Sequence, residues 1–356
     1  MLIFPTLFFI MLVNFAIIQA APGGPVEQFL ARLNHENHAS SEAANVNLVS
    51  HNIAPEAMAN AKYQGADAVS NGVDPEIIAK IEKLYGFDRP VHKRFFVMIK
   101  KFLLFDFGTS FYQDRKVIDL VFEKLPVSIS LGLWSTLLIY LISIPLGIKK
   151  AVNDGSKFDV ASSVAISIGH AIPAFLFAIL LIVLFAGGNF LNIFPLRGLV
   201  SEGFAQMNWW QKIIDYFWHL VLPITAIVIG GFASLTFFVK NSFIEEINKQ
   251  YVLTAYAKGL NQNQVLYFHI FRNAMMIVIA GIPAAFIGIL FTGSMLIEII
   301  FSLDGLGLLG YESAISRDYP VMFGTLYIFT LIGLVVNIIS DLTYKLVDPR
   351  INFSRI

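Results

Sequence analysis

Residues 125–148 read LPVSISLGLWSTLLIYLISIPLGI, without a single Asp, Glu, Lys or Arg. A helix that crosses a bilayer needs about 20 consecutive, mainly apolar residues, so this stretch predicts one. The pattern recurs on both sides. Segments 1–26, 160–196, 220–239, 274–297 and 321–340 are equally free of the four ionised residue types. Six runs predict six transmembrane helices, at about 1–26, 125–148, 160–186, 220–239, 274–297 and 321–341. The third run is too long for one span, and Gly187-Gly188-Asn189 is expected to end it near Ala186. Pro145, Pro173, Pro223 and Pro283 fall inside these runs, and membrane helices tolerate proline better than soluble ones do.

Composition points the same way. The chain has 356 residues, of which 56% are hydrophobic and 14% charged, against about 25% charged in soluble domains. Lys+Arg and Asp+Glu both number 25, so no net basic field exists to hold a nucleic acid. With no Cys, disulfide frameworks, thiol catalysis and thiolate metal sites are excluded. The class is an all-α polytopic protein whose solvent is the lipid bilayer.

Orientation follows from Lys and Arg in short loops, which concentrate on the cytoplasmic side. If the N-terminus is inside, the inside segments carry ten of them and the short outside loops three, Arg197, Lys212 and Arg317. The remaining 12 lie between the first two helices, in a segment long enough to escape the rule. Both termini, including a tail at 346–356, are expected in the cytoplasm. Ala16, Ala20 and Ala21 give the N-terminus a signal-peptide look, but a signal should begin with positive charge and none precedes the apolar run. The better expectation is a true start site further upstream.

The periplasmic segment, 27–124, reads as a separate region. Residues 34–72 are rich in Asn, Ala, Ser and His, the composition of a flexible insert. Asp74 and Pro75 predict a helix start that runs to about Tyr85. A second, amphipathic helix is expected over 91–105, closed by Asp106-Phe107-Gly108. His35, His38 and His51 read either as a metal site or as solvated side chains in a polar tract, and the second reading is preferred because their spacing fixes no geometry.

Motor and catalytic chemistry is missing. No Gly-Lys dipeptide occurs, hence no Walker A loop, and neither His-Glu-x-x-His nor Gly-x-Ser-x-Gly is present. Ionisable groups inside a membrane usually mark ion pathways. Here Glu298 and Asp341 are expected at helix ends within reach of water. His170, about ten residues into the third run, reads as a relay or, preferably, as a hydrogen-bonded packing residue. A conduit driven by another subunit fits better than a proton or sodium pump.

Residues 240–272 are too polar to span and too regular for a loose loop. A helix is expected from Glu245 to Lys258, then a left-handed cap at Gly259, where glycine adopts that conformation cheaply. Asn261 should cap a second helix over 262–271. The result is a compact knob, either a loop that seals the membrane surface or a docking lever for a soluble partner.

Tyr251-Val252-Leu253-Thr254-Ala255-Tyr256-Ala257-Lys258-Gly259-Leu260, with His269-Ile270-Phe271-Arg272-Asn273-Ala274, resembles the coupling segment of ABC-importer permeases of the peptide/nickel group. Leu253 stands where the superfamily pattern has Glu, and Phe271-Arg272 where it has Leu-Pro, as in that group's own variant. Ala21-Pro22-Gly23-Gly24-Pro25, Tyr85-Gly86-Phe87-Asp88-Arg89-Pro90, Asp106-Phe107-Gly108-Thr109-Ser110, Leu125-Pro126-Val127-Ser128, Ser302-Leu303-Asp304-Gly305-Leu306-Gly307 and Val347-Asp348-Pro349-Arg350 extend the likeness over nearly the whole chain. Gly132-Leu133-Trp134-Ser135-Thr136, the stretch 194–201 and the stretch 316–324 resemble the B-type permeases of the Yej branch.

The resemblance implies a type I ABC-importer permease core over 125–345 in the bacterial inner membrane, with 240–272 as its cytoplasmic coupling segment. It implies oligopeptide cargo, together with peptide antibiotics such as microcin C that use the same route. Implied partners are a second homologous permease, two ATP-binding subunits and a periplasmic peptide-binding protein. ATP and Mg belong to the ATPase partners, and the chain itself has no cofactor, metal or catalytic residue. Thr254, Ala255, Ala257, Lys258, Gly259, Leu260, His269, Arg272 and Asn273 are implied to couple to the ATPase. A nickel permease, an ion-coupled secondary transporter and an enzyme housed in 27–124 are the rival readings. Thr292, Ser294 and Asn337 could line a path or merely pack.

Overall fold

The computed structural model describes residues 3–20, 90–187, 190–288 and 295–347. The expected insert 34–72, the helix over 74–85, His35, His38, His51, Thr292, Ser294 and the tail from 348 onward lie outside them. Among the described residues the regular structure is helical, apart from one isolated bridge between Thr109 and Lys116. The helices are α1 (Ile3–Ala20), α2 (Val91–Leu103), α3 (Val117–Val152), α4 (Lys157–Ala171), α5 (Ala174–Phe185), α6 (Trp209–Ile247), α7 (Gln250–Ala257), α8 (Gln262–Gly288), α9 (Met295–Ile300), α10 (Leu306–Ser316) and α11 (Tyr319–Val347). Four of them, α3, α6, α8 and α11, are long and apolar enough to cross a bilayer, or five spans if the bent α4–α5 pair is one.

The helices overrun the charge-free windows because charged residues occupy their end turns. α6 starts at Trp209 rather than near 220, since Asn208 and Gln211 form a capping box: the Gln211 N–H donates to Asn208 Oδ1 at 3.0 Å and the Asn208 N–H to Gln211 Oε1 at 3.1 Å. Two orphan donors of the first turn are thereby satisfied. The run 160–186 is not one straight helix, for α4 and α5 meet at 89°. Pro173 lacks an N–H and disfavours helical geometry in the residue before it; Ile172 is accordingly extended, at φ −83° and ψ 119°. Pro145 and Pro223 lie inside continuous helices.

The chain forms two compact units. One comprises the residues up to Ile118 together with Arg317–Tyr327. Its polar clasp is Asp318, buried, which accepts from the Ser110 hydroxyl at 2.5 Å and the Phe111 N–H at 3.2 Å. Phe102, Phe107 and Tyr327 stack edge to face or tilted beside one another, with centroids 5.1–5.5 Å apart.

The other unit, Asp119–Ser316 with the residues from Ile328 on, holds the main apolar core, drawn chiefly from α3, α5, α6 and α8. Here Glu298 departs from expectation. It is 0% exposed, not within reach of water. Its Oε1 accepts from the Ser128 hydroxyl at 3.0 Å and its Oε2 from the Leu308 N–H at 2.8 Å, while Ser128 Oγ also accepts from the Leu306 N–H at 2.8 Å. Glycines make room for the carboxylate: a Cβ on Gly305 would lie 2.5 Å from Glu298 Cδ, and one on Gly307 2.9 Å from Oε2. The Leu-Pro-Val-Ser and Asp-Gly-Leu-Gly motifs are thus two halves of one buried polar joint. Asp341 is exposed as expected, although α11 continues past it to Val347.

Candidate functional site

Segment 240–272 folds as a continuation of two long helices. The expected helix from 245 to 258 is interrupted: α6 ends at Ile247, Asn248 caps it, and α7 starts at Gln250. Side chains on both sides of the break hold α7 to the last turn of α6. Lys249 pairs with Glu246 and lies 3.8 Å from Glu245. The Tyr251 hydroxyl donates to Glu246 Oε2 at 2.7 Å. Burial pushes the Tyr251 phenol above its usual value, so it keeps the proton it donates; a hydrogen bond from Asn273 pulls the other way.

α7 stops in a Schellman motif. The Gly259 N–H bonds to the Tyr256 carbonyl at 2.9 Å and the Leu260 N–H to the Ala255 carbonyl at 3.4 Å, the two reverse bonds that define it. Gly259 sits at φ +82°, and a Cβ there would meet nothing within 4 Å. The need for glycine is therefore conformational and not steric. Asn261 caps α8 through a second capping box, with 2.9 Å and 3.0 Å bonds to Gln264. α8 then passes through a π-helical stretch, Val265–Ile270, a feature often found at functional sites.

Burial divides the segment into an inner and an outer face. Val252, Ala255, Val265, Leu266 and Ile270 join the core, and the Phe243 and Phe271 rings meet edge to face at 6.0 Å. On the other face of α7, Leu253 is 68% exposed, with Tyr256 and Ala257 beside it at helical spacing; on α8, Phe268 is 76% exposed. Of the residues singled out from the sequence, Thr254, Ala257, Lys258, Gly259, His269, Arg272 and Asn273 are exposed, Leu260 is half-buried and Ala255 is buried. Ala255 serves the inner face. Tyr251 and Leu253 were not in that set; the alternation of apolar positions along α7 was the available signal for both.

A second cluster lies on α3, α4 and α6, and the uncharged-run reading passed over it because its residues fall just outside the charge-free windows. Lys150, at the end of α3, is 0% exposed. Its ammonium lies 3.0 Å from Asp159 Oδ1 and donates to the Asp159 carbonyl (2.9 Å), Ser162 (2.8 Å) and Ser163 (2.7 Å), all on α4. Lys240 on α6 bridges Asp159 at 2.7 Å and Asp154 at 2.8 Å. Three helices are thereby fastened by one carboxylate.

Residues 143–353 match the family described as "Binding-protein-dependent transport system inner membrane component". The chain is 57% identical to an "Inner membrane ABC transporter permease protein YejB" of Escherichia coli O157:H7, over 99% of this chain and 97% of that one. It is also 57% identical to a "Peptidoglycan transport system permease protein YejB" of Agrobacterium fabrum, over 99% and 96%. An "Oligopeptide transport system permease protein OppB" of Haemophilus influenzae is 31% identical over 78% and 86%. Among solved structures, a chain of the MetNI methionine ABC transporter in an inward-facing conformation superposes with a TM-score of 0.51 at 17% identity, covering 65% of this chain and 97% of that one; that likeness concerns the fold.

Proposed function

Since this chain belongs to the family of inner membrane components of binding-protein-dependent transport systems, and is thus a multi-pass inner membrane permease, we propose that it forms part of the translocation path of an ATP-driven importer of oligopeptides. The observation that carries the reading is the two-faced α7: an inner face locked to α6 and α8, and an outer face of Leu253, Tyr256 and Ala257 that is exposed among the described residues. Exposed apolar groups held on a rigid element mark a partner surface. The partner is an ATPase subunit that binds ATP and Mg. Its closure on ATP pushes α7, and the permease pair switches between two packings. A second homologous permease, a pair of ATPases and a periplasmic binding protein complete the complex. The excess of Lys and Arg in segments on the α7 side puts that side, and both termini, in the cytoplasm.

Cargo identity rests on the relatives. The Haemophilus name favours oligopeptides and the Agrobacterium name favours material from peptidoglycan; peptide antibiotics such as microcin C as passengers are part of the same proposal. Reconstitution in liposomes tests the function. The complete complex with loaded binding protein should accumulate labelled peptide only with ATP. Accumulation by this chain alone, or uptake that follows a proton gradient while ATP is spent, would refute it. Competition between plain tripeptides and peptidoglycan-derived peptides decides the cargo.

A further inference from the structure

A cavity of about 810 Å3 opens beside the break between α4 and α5, well within the roughly 300–1,000 Å3 usual for ligand sites. Its walls come from α3 (Ile139, Tyr140), from the break itself, from α6 (Ser234, Phe238) and from α8 (Ala285). Among the described residues no Asp, Glu, Lys or Arg lines it. Three polar side chains do: Tyr140, His170 and Ser234.

His170 is the ordered one. Its Nδ1 lies 3.1 Å from the Gly230 carbonyl on α6. A carbonyl can only accept, so Nδ1 carries the hydrogen, and in the neutral ring Nε2 remains as an acceptor. Irregular backbone at membrane depth is tolerated where it lines a cavity or is buried in protein, and the extended Ile172 lines this one. A lipid acyl chain would have no use for a fixed imidazole and two hydroxyls.

We propose that this cavity is a station for the cargo peptide inside the permease, where apolar walls take one uncharged side chain and His170, Tyr140 and Ser234 meet the peptide's backbone N–H and C=O groups. The proposal rests on the reading of the chain as a peptide permease. An ionised side chain is disfavoured there, because nothing in the wall repays its desolvation. The permease therefore adds its own selection to that of the binding protein.

The test uses the complete complex in liposomes with one binding protein throughout, and three labelled tripeptides: tri-alanine, tri-phenylalanine and Ala-Lys-Ala. Ser234 is exposed, so Ser234→Phe fills the cavity without disturbing the core. Its KM for tri-phenylalanine should rise about tenfold, and that for tri-alanine by a smaller factor, the loss of the one Ser234 hydrogen bond. His170→Ala should raise KM for all three in a complex that assembles in wild-type yield, and His170→Gln, which keeps an acceptor, should recover most of the loss. A Ser234→Phe complex with the wild-type peptide profile overturns the station. So does a His170→Ala loss that Gln does not mend. Failure of the wild-type complex to import any of the three refutes the peptide reading itself, which keeps the two outcomes apart.

Discussion

Asp159→Ala should destabilise the chain by about 3–5 kcal/mol, the usual cost of stranding a buried charge. The structure says where that cost falls. Asp159 is the one carboxylate between Lys150 at 3.0 Å and Lys240 at 2.7 Å. At an effective dielectric of about 20, each such contact attracts by roughly 5–6 kcal/mol before desolvation is subtracted. Without Asp159, Lys240 still has Asp154 at 2.8 Å, an exposed partner beside water. Lys150 has no such escape. It is fully buried, and the Ser162 and Ser163 hydroxyls, a backbone carbonyl and the face of the Phe237 ring remain around it, none of them charged. A second substitution should therefore rescue the first. In Lys150→Met/Asp159→Ala both unmatched charges are gone, and the pair should show a coupling energy of about 2–3 kcal/mol. The assay is equilibrium unfolding of the purified chain in mixed micelles with increasing SDS, read by tryptophan fluorescence, for wild type, both single variants and the double variant. An Asp159→Ala chain within about 0.5 kcal/mol of wild type, as for an ordinary surface change, would refute the buried clamp. So would a double variant no better than the single.

Gly259→Asp should leave the chain in the membrane and abolish peptide uptake, because the positive φ costs a side chain about 1–2 kcal/mol at the joint between α7 and α8; Gly259→Asn should retain more uptake, and normal transport by the Asp variant would count against the coupling role. Gly305→Ala drives a Cβ to 2.5 Å of Glu298 Cδ and should cost about 1–3 kcal/mol, seen as a lower melting temperature in detergent, whereas Glu298→Gln keeps an acceptor for Leu308 and should cost less. Asp318→Ala strips the Ser110 hydroxyl and Phe111 N–H of their acceptor, a loss of about 1–3 kcal/mol by the same melting measurement. Tyr251→Phe removes one hydrogen bond to Glu246; ATP hydrolysed per peptide imported should rise while the stability change stays near 1 kcal/mol.

Local signals in the sequence were the most legible. Each uncharged run carries helix, and Gly259 and Asn261 adopt the stop and the start that their chemistry favours. Longer-range features were hidden for physical reasons. Pro145, Pro173 and Pro223 look alike in sequence, yet only Pro173 separates two helices, since packing around a proline decides whether the freed carbonyl is met in place. Glu298 reads as a solvated helix end until Ser128, 170 positions away, and the Leu308 N–H close over it. Lys150 and Lys240 fall just outside the windows that counted absence of charge, so the buried clamp lay at the margin of the reading. Ala255 sat among residues picked for docking, although the same helical period that exposes Leu253 and Tyr256 turns it inward.

The two polar clusters of the larger unit bear on how force on α7 would travel. α7 cannot swing freely, because Lys249 and Tyr251 tie it to Glu246 and its inner face packs on α8. A displacement of α7 must therefore move the end of α6. Lys240 lies on that same helix, one turn before Phe243, and Asp159 fastens it to α4 and, through Lys150, to α3. Along α4 the helix is continuous until Ala171. The first joint without helical hydrogen bonding on this route is Ile172–Pro173, and the cavity opens there. On the proposed reading, a push delivered through these charge-clamped helices would reach its first compliant point where the cavity gives an uncharged cargo segment room to sit.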